Sequence, residues 1–395
     1  MRSVAVAIVG AGPAGASAAL AARQAMPHAE ILLLDKRSFP RDKACGDAVA
    51  AHVLDELRSV GIHGLLDDLN PTSILQLGTS EASATRPIAR PIWGVPRSDF
   101  DARLVRAAVA RNIELQRQAV RSVEVHPWGV VIDNKVTADV LIAADGVESV
   151  VRRQLGIRPN PAAHMAVAMR GYTPSLTDHA RLVAAGRGWP AYAWEFPLGD
   201  GRSNVGYGTD LGRGRSCSRR ELLESLEQLM PGATKDAGHW RGARIPLSTS
   251  RPRQPDGRVL LVGDAASLVN PMSGEGIWYA VKSGLMAGRC ATLGAGAGAE
   301  YRTALSAAFG KNLRHANLVA RLAHTGSLPS LGTRMTVVDE AFFHDQVAVS
   351  IGGGTYSWPT AVRALARSLA QRHPGHRITT ADYAPPAAGR PTRTP

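Results

Sequence analysis

The sequence has few cysteines and no long apolar run. Cys45, Cys217 and Cys290 are the only cysteines in 395 residues, and their odd number and wide spacing argue against a disulfide framework and for a reducing, cytoplasmic compartment. No run of 18 apolar residues free of glycine, proline and charge occurs, so we expect no membrane-spanning helix and at most peripheral membrane contact. No Cys/His cluster has metal-ligand spacing, so we predict no metal site.

Lysine is also scarce, with 6 lysines against 40 arginines in a chain whose formal net charge is +13. The arginines are spread along the whole chain without a dense block, which is more typical of a GC-rich coding sequence than of a binding arm. Because neither a recognition motif nor a basic stripe accompanies the charge, we predict no nucleic-acid partner. An acidic protein partner, such as a small electron carrier, stays open.

The chain begins with the pattern of a strand, a tight turn and a helix. Residues 4–9 form a continuously apolar strand, residues 14–24 an alanine-rich helix, and a second apolar strand ends at Asp35. The turn carries Gly10, Gly12 and Gly15. Glycines at this spacing allow a sharp turn, close approach of a pyrophosphate and close helix packing, while the acid can bind a ribose hydroxyl. The sequence therefore predicts a site for a nucleotide with an ADP half.

The rest of the chain predicts a discontinuous nucleotide domain. Helical periodicity largely disappears between residues 161 and 253, where aromatic, glycine-rich and alternating stretches favour an antiparallel sheet. A buried-strand pattern returns at Arg258. The predicted fold is α/β, a Rossmann-type domain with an inserted α+β substrate domain. We assign residues 1–75, 95–160 and 254–295 to the nucleotide domain, 76–94 and 161–253 to the substrate domain, 296–384 to a helical C-terminal region and 385–395 to a disordered tail.

Several motifs resemble known flavoproteins. The early glycine turn, Asp145-Gly146 after a late strand, and Gly263-Asp264-Ala followed by Pro271-x-x-Gly274-x-Gly276 resemble flavoprotein monooxygenases and their relatives, which bind FAD. More closely, residues 39–47, 192–197 and 274–277 resemble the geranylgeranyl reductase family. The resemblance covers about residues 3–320 and implies a single Rossmann domain holding FAD.

The resemblance also implies how the chain would hold FAD. The glycine turn and Asp35 would bind the ADP half, Arg103 the pyrophosphate, and Asp264 a ribityl hydroxyl. The helix that begins near Glu275 would direct backbone N–H groups at the flavin ring. The full set placed at FAD comprises Gly10, Gly12, Pro13, Ala14, Gly15, Asp35, Lys36, Arg41, Cys45, Gly46, Arg103, Asp145, Gly146, Gly263, Asp264, Pro271, Gly274, Gly276 and Ile277.

Cys45 is the candidate catalytic residue, since the family carries this cysteine close to its active site. A thiol flanked by Lys43 could have a lowered pKa and act as acid or base. The alternative is a buried small hydrophobic residue, the usual role of a free cysteine. The sequence departs from the family at Ala48, where glycine is usual, which implies a narrower pocket.

A candidate substrate-binding face follows from the alternation of Tyr192, Trp194 and Phe196, which places all three on one side of a strand. They would line the substrate pocket over the flavin, or else pack in an ordinary core. Flavin-dependent halogenases carry a Trp-x-Trp-x-Ile-Pro motif of the same spacing. This sequence has Tyr192 and Phe196 in place of the first tryptophan and the isoleucine, which argues against halogenation without excluding it.

The function implied is reduction of carbon–carbon double bonds in an isoprenoid or another apolar small molecule. Hydride would come from FAD reduced by NAD(P)H or by a reduced electron carrier that visits transiently. The alternative is oxygen chemistry on the same scaffold, by a flavin-dependent monooxygenase or halogenase that acts on a small natural product.

Overall fold

The computed structural model describes residues 1–185, 191–212, 217–323, 328–351 and 353–370. The predicted tail at 385–395 lies outside the described residues. The strands are β1 (Arg2–Val9), β2 (Ile31–Asp35), β3 (Ala48–Ala50), β4 (Thr72–Gly78), β5 (Ser83–Gly94), β6 (Glu114–Arg117), β7 (Val123–His126), β8 (Gly129–Ile132), β9 (Val136–Ala143), β10 (Met165–Pro174), β11 (Ala180–Ala184), β12 (Ala191–Pro197), β13 (Arg202–Asp210), β14 (Gly238–Pro246) and β15 (Val259–Leu261). The helices are α1 (Pro13–Ala25), α2 (Ala51–Arg58), α3 (Arg97–Val109), α4 (Val150–Gln154), α5 (Arg219–Leu229), α6 (Ile277–Cys290), α7 (Ala297–Ala323), α8 (Leu328–Val338), α9 (Glu340–Ile351) and α10 (Trp358–Ala370).

The first sheet is the predicted Rossmann-type sheet. Its strand order is β6-β2-β1-β9-β8-β7, and β15 pairs with the end of β9. The pairs β6–β2, β2–β1, β1–β9 and β9–β15 are parallel. All five residues of β2 are buried, as expected for parallel strands covered on both faces. The return of β15 to this sheet confirms that the domain is discontinuous.

The second sheet has eight strands in the order β14-β10-β13-β12-β11-β4-β5-β3, and it is antiparallel except for the β4–β11 pair. β4 lies in this sheet over its full length, from Thr72 to Gly78. The predicted domain boundary between residues 75 and 76 therefore falls inside a strand. In the structure this boundary lies at about residue 71, just before β4. β3 also pairs with β5, so the loop after β2 contributes to both domains.

The helices α1 and α6 are in direct backbone contact. A Cβ atom on Gly284 would overlap the carbonyl oxygen of Ala14, and one on Gly288 would overlap that of Ala18. The backbones of the two helices therefore touch, which only glycine permits here. This contact brings the N-termini of α1 and α6 to the same end of the Rossmann domain.

The remaining described helices, α7 to α10, form the helical C-terminal region that the sequence predicts. Residues of α8 and α9 pack on the second sheet, where Val337 and Phe343 share a core with Leu75 and Ile92. Among the described residues, no helix is long and apolar enough to cross a membrane.

Candidate active site

A cavity of about 700 Å³ lies where the two sheets meet. Both domains line it, because the loop after β2, the start of α6 and one face of the second sheet converge there. It is lined by most of the predicted site residues, namely Gly10, Gly12, Pro13, Ala14, Asp35, Lys36, Arg41, Cys45, Gly46, Asp145, Gly146, Tyr192, Trp194, Phe196, Asp264, Pro271, Gly274, Gly276 and Ile277. Gly15, Arg103 and Gly263 do not line it.

One end of the cavity has the geometry that a nucleotide requires. Gly10 has φ +99° and no room for a Cβ atom beside Ala144. α1 begins after Gly12 without any side-chain cap, so its first N–H groups are available to an anion. The Asp35 carboxylate accepts the Ala11 N–H at 2.9 Å and keeps further lone pairs for a ribose hydroxyl. Gly15 contributes indirectly, since a Cβ there would strike Gly10.

Two arginines stand at this helix terminus. A Cβ on Gly12 would lie 3.3 Å from a terminal nitrogen of Arg41 and 3.9 Å from one of Arg97. Asp101, fully buried, holds both guanidinium groups: Arg97 Nε donates to it at 2.7 Å, and Arg41 lies 3.2 Å from it. These two positive charges are therefore fixed beside the uncapped N-terminus of α1.

The prediction for Arg103 does not fit this geometry. Its Nε donates to Asp99 at 2.9 Å and its terminal nitrogens bond Asp68 and the Leu65 carbonyl, away from the cavity. Arg97 and Arg103 are six positions apart on α3, which is about 240° around a helix, so the two side chains point in different directions. The arginine of α3 that lines the cavity is Arg97.

The other end of the cavity is formed by the backbone of residues 271–277. Gly274 has φ +67°, and a Cβ there would lie 3.1 Å from the Tyr192 hydroxyl. The Glu275 carboxylate accepts the N–H of Trp278 at 2.8 Å, so one of the N–H groups predicted to face the flavin already has a partner. Burial raises the pKa of Glu275 to about 7.

Lys43 and Asp264 form an ion pair at 3.0 Å across the cavity wall. Burial opposes ionisation of Asp264, but the charge of Lys43 lowers the pKa of the carboxyl below its usual value. The pair ties the loop after β2 to the turn after β15. Asp264 therefore lines the cavity as a carboxylate that is already fixed in place.

Cys45 lies beside a buried polar cluster. Asp47 is fully buried with φ +61°, and its carboxylate accepts hydrogen bonds from the Tyr172 hydroxyl at 2.6 Å and the Asn204 amide at 2.8 Å. Asn204 also donates to the Cys45 carbonyl at 2.9 Å. Burial raises the pKa of Asp47 to about 6.

The electrostatics favour a protonated thiol at Cys45. Burial raises its pKa above the usual value, although Arg97 and Lys43 act in the opposite direction. The side chain is only partly exposed, towards the cavity that it lines. The lowered pKa considered from the sequence is therefore not supported, and the protonated thiol can donate a proton but is not a ready base.

The predicted aromatic face does line the cavity, but its members differ in packing. Trp194 is 5% exposed, and its indole N–H donates to Asn204 at 2.8 Å. The Tyr192 hydroxyl donates to the Ser273 carbonyl. A Cβ on Gly46 would lie 3.4 Å from both Trp194 and Phe196. The aromatic face therefore forms the cavity wall next to Gly46, while Trp194 is buried in the core.

A second cavity of about 280 Å³ adjoins the first, between the second sheet and α7 to α9. Six residues line both cavities, namely Leu75, Leu182, Tyr192, Met272, Ser273 and Ile351. The second cavity is predominantly apolar, with Leu77, Val319, Leu331 and Val347 among its walls.

Comparison with known proteins agrees with this arrangement. Residues 3–185 match the FAD binding domain family. A menaquinone reductase of Mycolicibacterium smegmatis is 32% identical over 315 residues, which cover 73% of this chain and 76% of that protein. A digeranylgeranylglycerophospholipid reductase 1 of Methanopyrus kandleri is 31% identical over 314 residues, covering 72% and 80%.

A solved structure has the same fold. The geranylgeranyl bacteriochlorophyll reductase-like protein of Thermoplasma acidophilum matches with a TM-score of 0.74 at 21% identity, over 94% of this chain and 98% of that one. The chain belongs to the geranylgeranyl reductase family. It is an FAD-dependent oxidoreductase of the flavoprotein monooxygenase-like group, as its motifs predict.

Four residues that line the site of this reductase or hold its lining were not predicted as site residues: Arg97 and Asp47 line the cavity, and Asn204 and Tyr172 bind Asp47. In that order they come from α3, the loop before β3, β13 and β10. The sequence Cys45-Gly46-Asp47 offered a local signal for Asp47. No local pattern could have joined it to Tyr172 and Asn204, because these contacts link strands far apart in the chain.

Proposed function

We propose that this chain reduces carbon–carbon double bonds in an isoprenoid or a similarly apolar lipid, in the cytoplasm. The observation that carries the proposal is the apolar second cavity, which adjoins the main cavity and shares six lining residues with it. A polyprenyl chain has no polar group along its length, so its binding site must be an apolar space of this kind. The relative named digeranylgeranylglycerophospholipid reductase supports the same substrate class.

The residues of the main cavity suit FAD. The uncapped N-terminus of α1, with Arg41 and Arg97, would neutralise the pyrophosphate, and Asp35 would bind the ribose. Asp264 would meet the ribityl chain, and the backbone of residues 271–277 would support the flavin ring. Bound FAD, once reduced, supplies hydride from its N5 atom.

The proton for the second half of the reduction is assigned to Cys45. Burial keeps its Sγ protonated at neutral pH, and Cys45 lines the main cavity. It lies near Tyr192, a residue that lines both cavities: burial raises the pKa of the Tyr192 hydroxyl, and the charges of Glu275 and Cys45 raise it further. Arg97 stabilises the thiolate left after proton transfer, since the charge of its guanidinium lowers the pKa of the thiol. Asn204 fixes the backbone here by donating to the Cys45 carbonyl.

The electron donor in this proposal is NAD(P)H or a reduced carrier protein. One Rossmann-type sheet is present in the described residues, and the proposal gives that sheet to FAD. A nicotinamide would therefore bind transiently at the open cavity. The net charge of +13 favours an acidic partner if the donor is a protein.

The test is anaerobic reduction of the FAD-loaded protein, followed by separate mixing with a geranylgeranyl lipid and with O₂. Oxidation of the flavin by the lipid, with a gain of two hydrogen atoms per double bond in mass spectra, supports the proposal. Oxidation by O₂ alone, with hydroxylated or halogenated products from added small molecules, contradicts it in favour of oxygen chemistry.

A cavity variant makes the test specific to substrate length. Ala184 lines the second cavity and not the main one, so Ala184→Phe should block a 20-carbon substrate and spare a 10-carbon one. Ala110→Phe, on an exposed position of the Rossmann domain, is the matched control and should spare both. Equal loss for both substrates in Ala184→Phe would refute this assignment of the second cavity.

A further inference from the structure

Helix α10 carries an apolar stripe that faces away from the protein. Trp358, Val362, Leu365 and Leu369 are 76%, 65%, 36% and 60% exposed. At 100° per residue these four side chains fall within about 60° of arc. Apolar side chains that share one face of a surface helix normally point into the core.

The opposite face of α10 holds the helix on the protein. Arg363 and Arg367 both pair with the buried Asp339, at 2.9 and 2.7 Å. Ala364 is fully buried and packs in a cluster with Met335 of α8. The buried residues of α10 are the small Ala364 and Ser368, and the two arginines stay about half exposed. Because its large apolar side chains face outwards, α10 has the inverse of the usual orientation. Within the described part of the chain, no element covers its stripe.

Positive charge accompanies the stripe. Residues 371–395, which follow α10 directly, contain four arginines and one aspartate in the sequence. The two arginines of α10 share a single aspartate. A helix with an exposed apolar stripe next to basic residues is typical of segments that lie in the interface of an anionic bilayer. The exposed Trp358 suits the headgroup region, where tryptophan is enriched.

A second copy of the chain fits the stripe less well. Two copies would bring together two surfaces of a protein with net charge +13, and the 13 residues of α10 offer fewer than the three heptads that indicate a coiled coil. An anionic lipid surface attracts the same charge. Charge complementarity therefore selects the membrane.

The position of α10 fits a bilayer that holds the substrate. α10 packs on α8, and α8 contributes Leu331, Met335 and Thr336 to the wall of the second cavity. Met335 thus touches both the cavity and the cluster that holds Ala364. One helix separates the stripe from the proposed site of the apolar substrate.

We propose that α10 is an interfacial anchor that docks the enzyme on an anionic lipid bilayer through Trp358, Val362, Leu365 and Leu369. The lipid-like substrate of the proposed function gives a reason for such a surface, but docking is measurable without turnover.

The experiment is sedimentation of the full-length, FAD-loaded protein with vesicles of phosphatidylglycerol and phosphatidylcholine in equal parts, and with phosphatidylcholine vesicles. Wild type should sediment with the anionic vesicles and weakly with the neutral ones. Val362→Glu/Leu369→Glu should bind the anionic vesicles at least about tenfold more weakly, because it places two charges in the apolar layer. Val109→Glu/Val125→Glu is the matched control, since it adds the same charge at positions 48% exposed on the Rossmann domain.

The outcomes separate this inference from the proposed function. Equal vesicle binding by the two double variants, or no binding by wild type, overturns the anchor. A wild-type dimer that the α10 variant dissociates overturns it too, since the stripe then binds a second copy. Turnover of a soluble 10-carbon prenyl substrate is measured in parallel. Its absence in all variants would refute the proposed function alone, and an unchanged rate in the α10 variant would show an intact active site.

Discussion

The buried carboxylate of Asp47 predicts a pH-dependent cost for removing the Tyr172 hydroxyl. In Tyr172→Phe the carboxylate loses a donor at 2.6 Å. A hydrogen bond to a charged group contributes about 1.5–3 kcal/mol, whereas a neutral one contributes about 0.5–1.5 kcal/mol. Above pH 6 Asp47 is ionised, so the variant should lose about 2 kcal/mol of unfolding free energy there.

The sign of the pH dependence follows from the raised pKa. Asp47 has a pKa of about 6 in the folded protein against 3.8 for an unperturbed carboxyl. The folded state therefore binds the proton more tightly, and wild type loses about 3 kcal/mol of stability from this group as pH rises from about 3 to about 7. Loss of the hydroxyl should raise the pKa by up to about one further unit. The cost of the substitution should accordingly be about 1 kcal/mol smaller at pH 5 than at pH 8.

Urea unfolding of both proteins at pH 5 and pH 8, at equal FAD occupancy, measures this difference. Tyr356→Phe is the matched control, because the Tyr356 hydroxyl donates at 2.6 Å to Gln346, an acceptor with no charge. The control should lose about 1 kcal/mol at either pH. If Tyr172→Phe were also independent of pH, or cost more at pH 5, the account of Asp47 as a buried titrating carboxylate would be wrong.

Three further substitutions, two of them with a comparison variant, test the site and its support. Cys45→Ser should bind FAD and accept electrons normally but pass them to the prenyl substrate about 10²–10⁴-fold more slowly. Equal rates for the variant and wild type in anaerobic stopped flow would show that Cys45 has only a structural role. Asp264→Ala should weaken FAD binding about 10- to 150-fold in a flavin fluorescence titration. Lys43→Met should weaken FAD binding less than Asp264→Ala does. Unchanged FAD affinity in Asp264→Ala would exclude a contact between Asp264 and the cofactor. Gly284→Ala should destabilise the protein by about 1–3 kcal/mol in thermal unfolding. Gly310→Ala is the control and should be tolerated, because a Cβ there meets nothing closer than 3.5 Å. Equal effects of the two substitutions would argue against the close crossing of α1 and α6.

The parts of the site that the sequence predicts are those built from local backbone. The turn at Gly10, the acid at Asp35 and the loop at residues 271–277 each need only a few neighbouring residues, so their spacing identifies them. Arg103 was misplaced because the side that a helix residue faces depends on how α3 packs. That packing is set by contacts far apart in the sequence.

The same limit applies to α10 and to the domain boundary. The sequence periodicity predicts an apolar face for α10, and such a face normally packs against the core. In the structure the apolar face is exposed and Ala364 is buried, while Arg363 and Arg367 pair with Asp339, so the helix has the opposite orientation. Likewise, nothing within β4 tells which sheet its residues join; its parallel pairing with β11 decides that.

The crossing of α1 and α6 has a consequence for how the enzyme acquires its cofactor. One half of the proposed FAD site lies at the N-terminus of α1 and the other at the N-terminus of α6, and their backbones touch at Gly284 and Gly288. During synthesis the ribosome releases α1 long before α6, so the nascent chain carries half a site for most of its elongation. The complete proposed site therefore exists only once α6 has emerged, and it then joins helix N-termini that are more than 260 residues apart in the chain.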